Sequence, residues 1–265
     1  MDNGQHSWWS EEYDFFGNFY MEGDNSYEGY LAPKRQQDLR ERTEAEVDGI
    51  INLLKLSQGD SVLDVPCGYG RHSIELVKKG MVVTGSDLNG THLEEAIKGS
   101  QGIAGIRFVK ENMIDLRYTD EFDAVINMFY SFGFFETDEE NEKVLVNFYD
   151  ALKSGGRFLM HTDVNVPMVL SGKYKSHELR QLQDGKTLEI TDTYDPATKR
   201  MNGVWAIRDK EGHERRKDYS VRVYTKDEFV ELCQKIGFKT CEAYSDWGGR
   251  PYSEDSDDMI IVATK

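Results

Sequence analysis

The apolar positions of this chain change period several times, and each change marks an element. Val47, Ile50, Ile51 and Leu54 recur at helical spacing within residues 43–56. "SVLDV" (61–65) is a short apolar run that reads as a buried strand, and "RHSIELVKKG" (71–80) as a helix ending at Gly80. "MVVTGSD" (81–87) predicts a strand and "THLEEAIKG" (91–99) a helix. "IRFVKEN" (106–112) and "FDAVINMFY" (122–130) add two strands. Residues 137–156 predict a helix opened by a Thr137/Glu140 capping box, and "RFLMHTD" (157–163) a fifth strand. Strands alternating with helices predict a parallel sheet covered on both faces, with a crevice at the carboxyl ends of its strands.

After Asp163 the period shortens. "KTLEITDTYD", "RMNGVWAIRD" and "RRKDYSVRVYT" alternate as successive antiparallel strands joined by short polar turns. A helical period returns in "TKDEFVELCQKIGF" (225–238), with a Thr225/Glu228 capping box and Gly237 at its stop. Two closing strands, "KTCEAYSDW" and "DDMIIVATK", flank a hairpin-like connection in which Trp247, Arg250 and Tyr252 read as parts of a solvated turn. At the other end of the chain, nine aromatics fall within the first thirty residues, Tyr27 and Tyr30 among them. Trp9, Tyr13, Phe16 and Tyr20 are spaced to share one helical face, which either packs on the core or closes over a ligand.

The chain has 265 residues, a length that suits one α/β domain or two small ones. Its apolar fraction is 38%, but 13 Phe, 14 Tyr and 4 Trp can still fill a core. No apolar run reaches the length of a membrane span, and the N-terminus lacks the basic-then-apolar pattern of a secretion signal. Cys67, Cys233 and Cys241 form no CxxC pair and leave one thiol over, a pattern that suits a reducing cytoplasm. The formal net charge of −16 argues against nucleic acid, whose binding draws on cationic surface; "RDKEGHERRKD" (208–218) is the one dense basic stretch, diluted by acids.

The candidate chemistry lies at the strand ends. Gly68 and Gly70 stand where a strand reverses into a helix, a position that favours positive φ and close approach of a ligand. The following helix aims its free N–H groups at the crevice. With Ser73 the glycines make a G-x-G-x-x-S, near the dinucleotide pattern, with Asp87 nineteen positions on. A second reading uses more of the chain. Asp64, Asp87, Asn112 and Asn127 end four successive strands, so four polar side chains would face one crevice. A carboxylate at Asp87 suits the hydroxyls of a ribose, and an amide near Met113 suits an adenine edge. Asp64 beside the turn disfavours pyrophosphate and favours a ligand bearing ammonium and sulfonium charges.

"VLDVPCGYGRHS", "VTGSDLN", "FVKENMIDL", "FDAVINMFYSFGFF", "ALKSGGRFLM" and "YSVRVYTKDEFVELCQKIGF" together resemble the ordered motifs of bacterial class I S-adenosylmethionine-dependent methyltransferases of the small-molecule type. The resemblance runs from about Arg42 to the C-terminus. It implies a Rossmann-like, doubly wound, seven-stranded α/β sheet whose last two strands form a hairpin, with an antiparallel insertion and an N-terminal helical cap. The expected organisation is a single methyltransferase domain: an aromatic cap at 1–45, a cofactor-binding core at 46–165 and 225–265, and an insertion at 166–224 covering the acceptor. The resemblance also implies roles for S-adenosyl-L-methionine. The Asp64–Gly70 turn, with Gly68, would approach the methionyl and ribose parts. Asp87 would take the ribose hydroxyls with Leu88 beside the adenine; Asn112 and Met113 would contact the adenine; Asn127 and Met128 would line the floor near the sulfonium. Two positions depart from the commonest pattern: Pro66 replaces a loop glycine, and Asn112 stands where Asp is usual.

Methyl transfer from a sulfonium is an in-line displacement that needs alignment and exclusion of water, and a general base only when the nucleophile cannot lose its proton to water. His161, ending the fifth strand, is the best-placed candidate base. Tyr224, where the insertion rejoins the crevice, could orient an acceptor; Arg42 could bind a methionyl carboxylate, and Tyr20, in the cap, is expected to bind the cofactor. Asn127-Met128-Phe129-Tyr130 is similar to the N-P-P-Y signature of nucleobase methylases, but both prolines are missing. The reading is therefore a cytoplasmic enzyme, monomer or homodimer, that methylates a small molecule, nitrogen favoured over oxygen, with no nucleic acid, membrane or metal partner. Its rivals are a nicotinamide oxidoreductase and a non-catalytic cofactor-binding module.

Overall fold

Strands and helices alternate where the apolar runs predict them. The computed structural model describes residues 7–24, 39–182 and 185–265; Tyr27 and Tyr30 lie outside the described residues. After a short helix α1 (Tyr20–Asp24), helix α2 (Leu39–Leu54) leads into β1 (Ser61–Asp64), α3 (Arg71–Lys78), β2 (Val82–Asp87), α4 (Gly90–Gly99), β3 (Ile106–Lys110) and β4 (Phe122–Asn127). Then come α5 (Asp138–Ala151), β5 (Leu152–Thr162) and α6 (Val166–Leu170). Strands β6 (His177–Gln181), β7 (Thr187–Asp195), β8 (Arg200–Arg208) and β9 (Glu214–Arg222) precede α7 (Lys226–Ile236), β10 (Thr240–Tyr244) and β11 (Met259–Thr264).

Seven strands form one sheet in the order β10-β11-β5-β4-β1-β2-β3. β1 through β5 run parallel, and β11 is antiparallel to both β5 and β10, so the closing pair is the expected hairpin. The order reverses direction at β1 and β4, the kind of switch point where such sheets open a crevice at their carboxyl edge. Alternation along the strands supplies the two cores. Val62, Val83, Ala124, Ile126, Leu159 and Ile260 cluster with Val47, Ile50 and Leu54 of α2 and Leu76 of α3. Phe158, one position from Leu159, turns to the opposite face and meets Phe148 of α5 and Phe229 of α7, with ring centroids 5.5 and 6.4 Å away. Both expected capping boxes form, at Thr137/Glu140 and Thr225/Glu228, and Gly237 ends α7 at φ 121°.

The chain divides into two compact units: residues 1–42 with 175–222, and residues 43–174 with 223–265. The smaller unit is a four-stranded antiparallel meander, β6-β7-β8-β9, joined by the N-terminal aromatic segment. Here two expectations change. The meander has a fourth strand, β6, whose sequence HELRQ carries no apolar run to announce it. The N-terminal aromatics do not share one continuous helical face: Asp14 is left-handed at φ 59° and Gly17 is non-helical, which breaks the phase after Tyr13. The buried aromatics are Trp8, Phe15 and Phe19, not Trp9, Tyr13, Phe16 and Tyr20. Phe15 packs on Trp205 and Tyr219 at 5.6 and 5.4 Å, and Tyr20 stacks on Trp205 at 5.3 Å. Among the described residues, no helix is long and apolar enough to cross a membrane.

Candidate active site

The parallel strands of the larger unit carry their terminal polar residues to one edge. Asp64 ends β1, Asp87 ends β2, Asn127 ends β4, and Asn112 follows β3 by two residues. These strands are neighbours in the order β4-β1-β2-β3, so the four residues stand side by side at the carboxyl edge. The turn after β1 is tied down on both sides. Asn127 Nδ2 donates to the Val65 carbonyl at 2.8 Å, Cys67 N donates to the Ser86 carbonyl at 2.9 Å, and Gly68 N donates to Asp87 Oδ2 at 2.8 Å. Asp87 Oδ1 also accepts from Asn89 N at 2.8 Å, so two backbone N–H groups set the orientation of this carboxylate. Asn112 accepts from Ile114 N at 3.3 Å and shapes the turn that places Met113 in the interior.

The two glycines of the turn are left-handed for different reasons. A Cβ on Gly70 (φ 78°) would stand 2.9 Å from Ala96 Cβ and from the Phe108 ring. Among the described residues, a Cβ on Gly68 (φ 54°) would meet only His92 Nδ1, at 4.0 Å. Gly70 is thus required by packing, whereas Gly68 leaves room beside the backbone for a ligand to approach.

Asp64 is 1% exposed. Burial pushes its carboxyl up to about 7, although Ser73 Oγ donates to it at 2.5 Å and Arg71 lies near; Asp87 adds to the upward push. A cation arriving at this edge would oppose that push and favour the ionised form. Asn127 is fully buried, and among the described residues its Oδ1 has no hydrogen-bond partner. Leu88 is half-buried and Met128 buried.

The exit of β4 is unusual. Phe129 and Tyr130, both bulky, sit at φ 54° and 60°, a conformation that costs on the order of 1–3 kcal/mol per residue outside glycine. His161, ending β5, meets both: its Nδ1 accepts from Phe129 N at 3.3 Å and its carbonyl accepts from Tyr130 N at 3.0 Å. Because Nδ1 accepts, the ring proton lies on Nε2, which donates to Asp258 Oδ1 at 3.3 Å. The side chain of His161, the candidate base, is thus 1% exposed with both ring nitrogens engaged. The Phe129 ring lies 4.7 Å from His161 and 5.6 Å from His72, with the Arg71 guanidinium 4.6 Å above it. Arg71 in turn donates to Glu46 at 2.5 Å and to Thr43 at 2.9 Å, while His72 meets the same Glu46 oxygen at 3.0 Å. Burial holds His72 down at about 4, so it is neutral and its Nε2–H donates to the Glu46 carboxylate.

The other expected residues fall in different places. Tyr224 packs on Phe132 and Phe229, and its hydroxyl donates to Asp138 at 3.4 Å. Tyr20 and Arg42 belong to the smaller unit. Trp247 and Tyr252 are half-buried, not fully solvated: Trp247 packs 5.0 Å from His161, and Tyr252 donates to Asn165 at 2.8 Å; Arg250 is exposed. The sequence analysis gave no role to Glu46, Arg71, His72 and Asp258, and took Phe129 only as part of the stretch 127–130. The cue available was the Arg71-His72 pair directly after the glycine turn, followed by the aromatic run from Phe129.

Residues 62–156 match the family whose description is a methyltransferase domain. With the sheet order above, this gives the chain a methyltransferase domain over residues 62–156, of the kind found in S-adenosylmethionine-dependent enzymes. A glycine/sarcosine N-methyltransferase of Parasynechococcus marenigrum is 33% identical over 128 residues, 46% of this chain and 45% of that protein. The matched stretch is thus less than half the length of that relative. A methyltransferase structure from Clostridium acetobutylicum superposes with a TM-score of 0.72 at 16% identity, covering 93% of this chain and 97% of that one. An S-adenosylmethionine-bound amino pentose methyltransferase from Micromonospora echinaspora gives 0.62 at 20% identity, covering 88% and 94%.

Proposed function

We propose that this protein transfers the methyl group of S-adenosylmethionine to the nitrogen of a small amine. The observation that carries the cofactor half is the shared edge: Asp64, Asp87, Asn112 and Asn127 side by side, with an open approach at Gly68 and an unpartnered acceptor at Asn127 Oδ1. An adenosyl sulfonium offers a diol, an adenine edge, an ammonium and a sulfonium, and the donor and acceptor set suits each. Asp87 would hold the ribose, Leu88, Asn112 and Met113 the adenine, the Asp64–Gly70 turn the methionyl part, and Asn127 and Met128 the floor. The cofactor would supply an activated methyl carbon; the chain's task is to orient the acceptor and keep water out. Tyr20, Arg42 and Tyr224 complete the proposal, Arg42 toward a carboxylate and Tyr224 toward the acceptor. The segment 166–224 is proposed to cover the acceptor.

The preference for nitrogen rests on two features: the acid-rich edge, which favours cationic or amine-bearing molecules, and the amine acceptors named for the glycine/sarcosine and amino pentose enzymes. An amine needs only to shed a proton to water before attack, so no dedicated base is required. The test is a panel of small amines, phenols and carboxylates with labelled cofactor. Transfer to amines is expected, and transfer confined to phenols or carboxylates would refute the acceptor class. Calorimetry with S-adenosylhomocysteine and NAD separates the oxidoreductase reading, against which Ser73 already counts: it occupies the third-glycine position and donates to buried Asp64.

A further inference from the structure

We propose that His161 is a positioning residue: it holds the exit of β4 in its left-handed conformation, and that hold, not proton transfer, is its part in catalysis. The catalytic half of this inference rests on the methyl-transfer reading; the structural half does not. Two consecutive bulky residues at positive φ do not persist by their own preference, so something must over-determine them. Among the described residues the fastening is visible. The N–H of Phe129 points at the His161 ring, and the N–H of Tyr130 points at the His161 carbonyl, so one residue takes both amides of the kink.

The ring is itself fixed. Asp258, directly before β11, accepts a hydrogen bond from Nε2–H and so selects the tautomer whose Nδ1 can accept. Trp247 packs on the ring 5.0 Å away. On the far side, Phe129 is pressed by Arg71 and His72, both anchored to buried Glu46. The kink directly follows Asn127 and Met128, the proposed floor of the site, so its geometry sets where the aromatic run 129–135 stands above that floor.

The experiment compares His161→Asn, His161→Gln and His161→Ala by amide hydrogen exchange at residues 129 and 130 and by turnover on an amine acceptor. The Asn side-chain oxygen can stand where Nδ1 stood, whereas Gln reaches toward Asp258 and leaves Phe129 N unserved. Protection of the Phe129 amide should stay within about threefold in His161→Asn and fall by about tenfold or more in the other two. Turnover should fall by about 10²-fold in His161→Ala, with the cofactor KM little changed, and recover to within about fivefold of the native rate in His161→Asn. Unchanged protection in both His161→Ala and His161→Gln would overturn the hold. His161→Asn with intact protection but the low turnover of His161→Ala would overturn its positioning role in favour of proton transfer. Should His161→Ala fail to fold, His161→Gln carries the same comparison. If the native protein methylates no amine, the exchange measurement still decides the hold, so the two readings fail separately.

Discussion

Two loops leave the sheet at the same edge through the same backbone conformation, yet by opposite means. After β1 the left-handed positions are Gly68 and Gly70; after β4 they are Phe129 and Tyr130. Glycine enters that region at little cost, so the bonds from Asn127, Ser86 and Asp87 orient the first turn without having to hold a strained backbone, and Gly68 can present bare backbone to a ligand. The aromatic turn has to be held by its surroundings, and His161, Arg71 and His72 gather around it. The difference teaches that one loop is specified locally and the other by the tertiary fold.

Substitutions can break the contrast. The largest effect is expected for Gly70→Ala, which combines a left-handed penalty with overlap on Ala96 and Phe108; a loss of about 3 kcal/mol in urea unfolding is expected. Gly68→Ala carries the conformational penalty alone, about 1–2 kcal/mol, yet should weaken S-adenosylhomocysteine binding in calorimetry because its Cβ enters the open approach. Asp87→Ala releases both the turn and the proposed ribose partner, and affinity for the same ligand should drop by about tenfold or more. Unaltered affinity would remove Asp87 from the cofactor site.

Asp64 gives a pH signature. Its native carboxyl titrates at about 7 against an ordinary 3.8, so across that window the folded state holds a proton that the unfolded chain has lost. Stability therefore falls as pH rises from about 4 to about 7 and levels off above. Asp64→Asn removes the dependence: its Tm gain over the native protein should be smallest near pH 4, grow toward pH 7 and then stay constant. The smallest effect is expected for Asn112→Asp, which keeps the acceptor for Ile114 N and should shift stability by only a few tenths of a kcal/mol.

What could be read from the sequence follows the same division between local and tertiary specification. Parallel strands buried on both faces announce themselves as apolar runs, and capping boxes and glycine stops are written within four residues, so the strands of the larger sheet and their polar ends were legible. β6 was not, because an edge strand of alternating charged residues carries no hydrophobic signature. The N-terminal phase went astray at Asp14 and Gly17, since periodicity counts residues and cannot see a backbone that changes hand. Glu46, Phe129 and Asp258 escaped because their partners lie 25 to 97 residues away in the chain, where no spacing rule reaches.

The N-terminal segment has one last implication, for the order in which the molecule is assembled. Tyr13 accepts the company of Asp218 across 205 residues, its hydroxyl receiving that backbone amide at 2.9 Å, and Trp8 meets Tyr219 nearby. On the ribosome these rings emerge before their partners and must wait until the last strand of the meander has been translated.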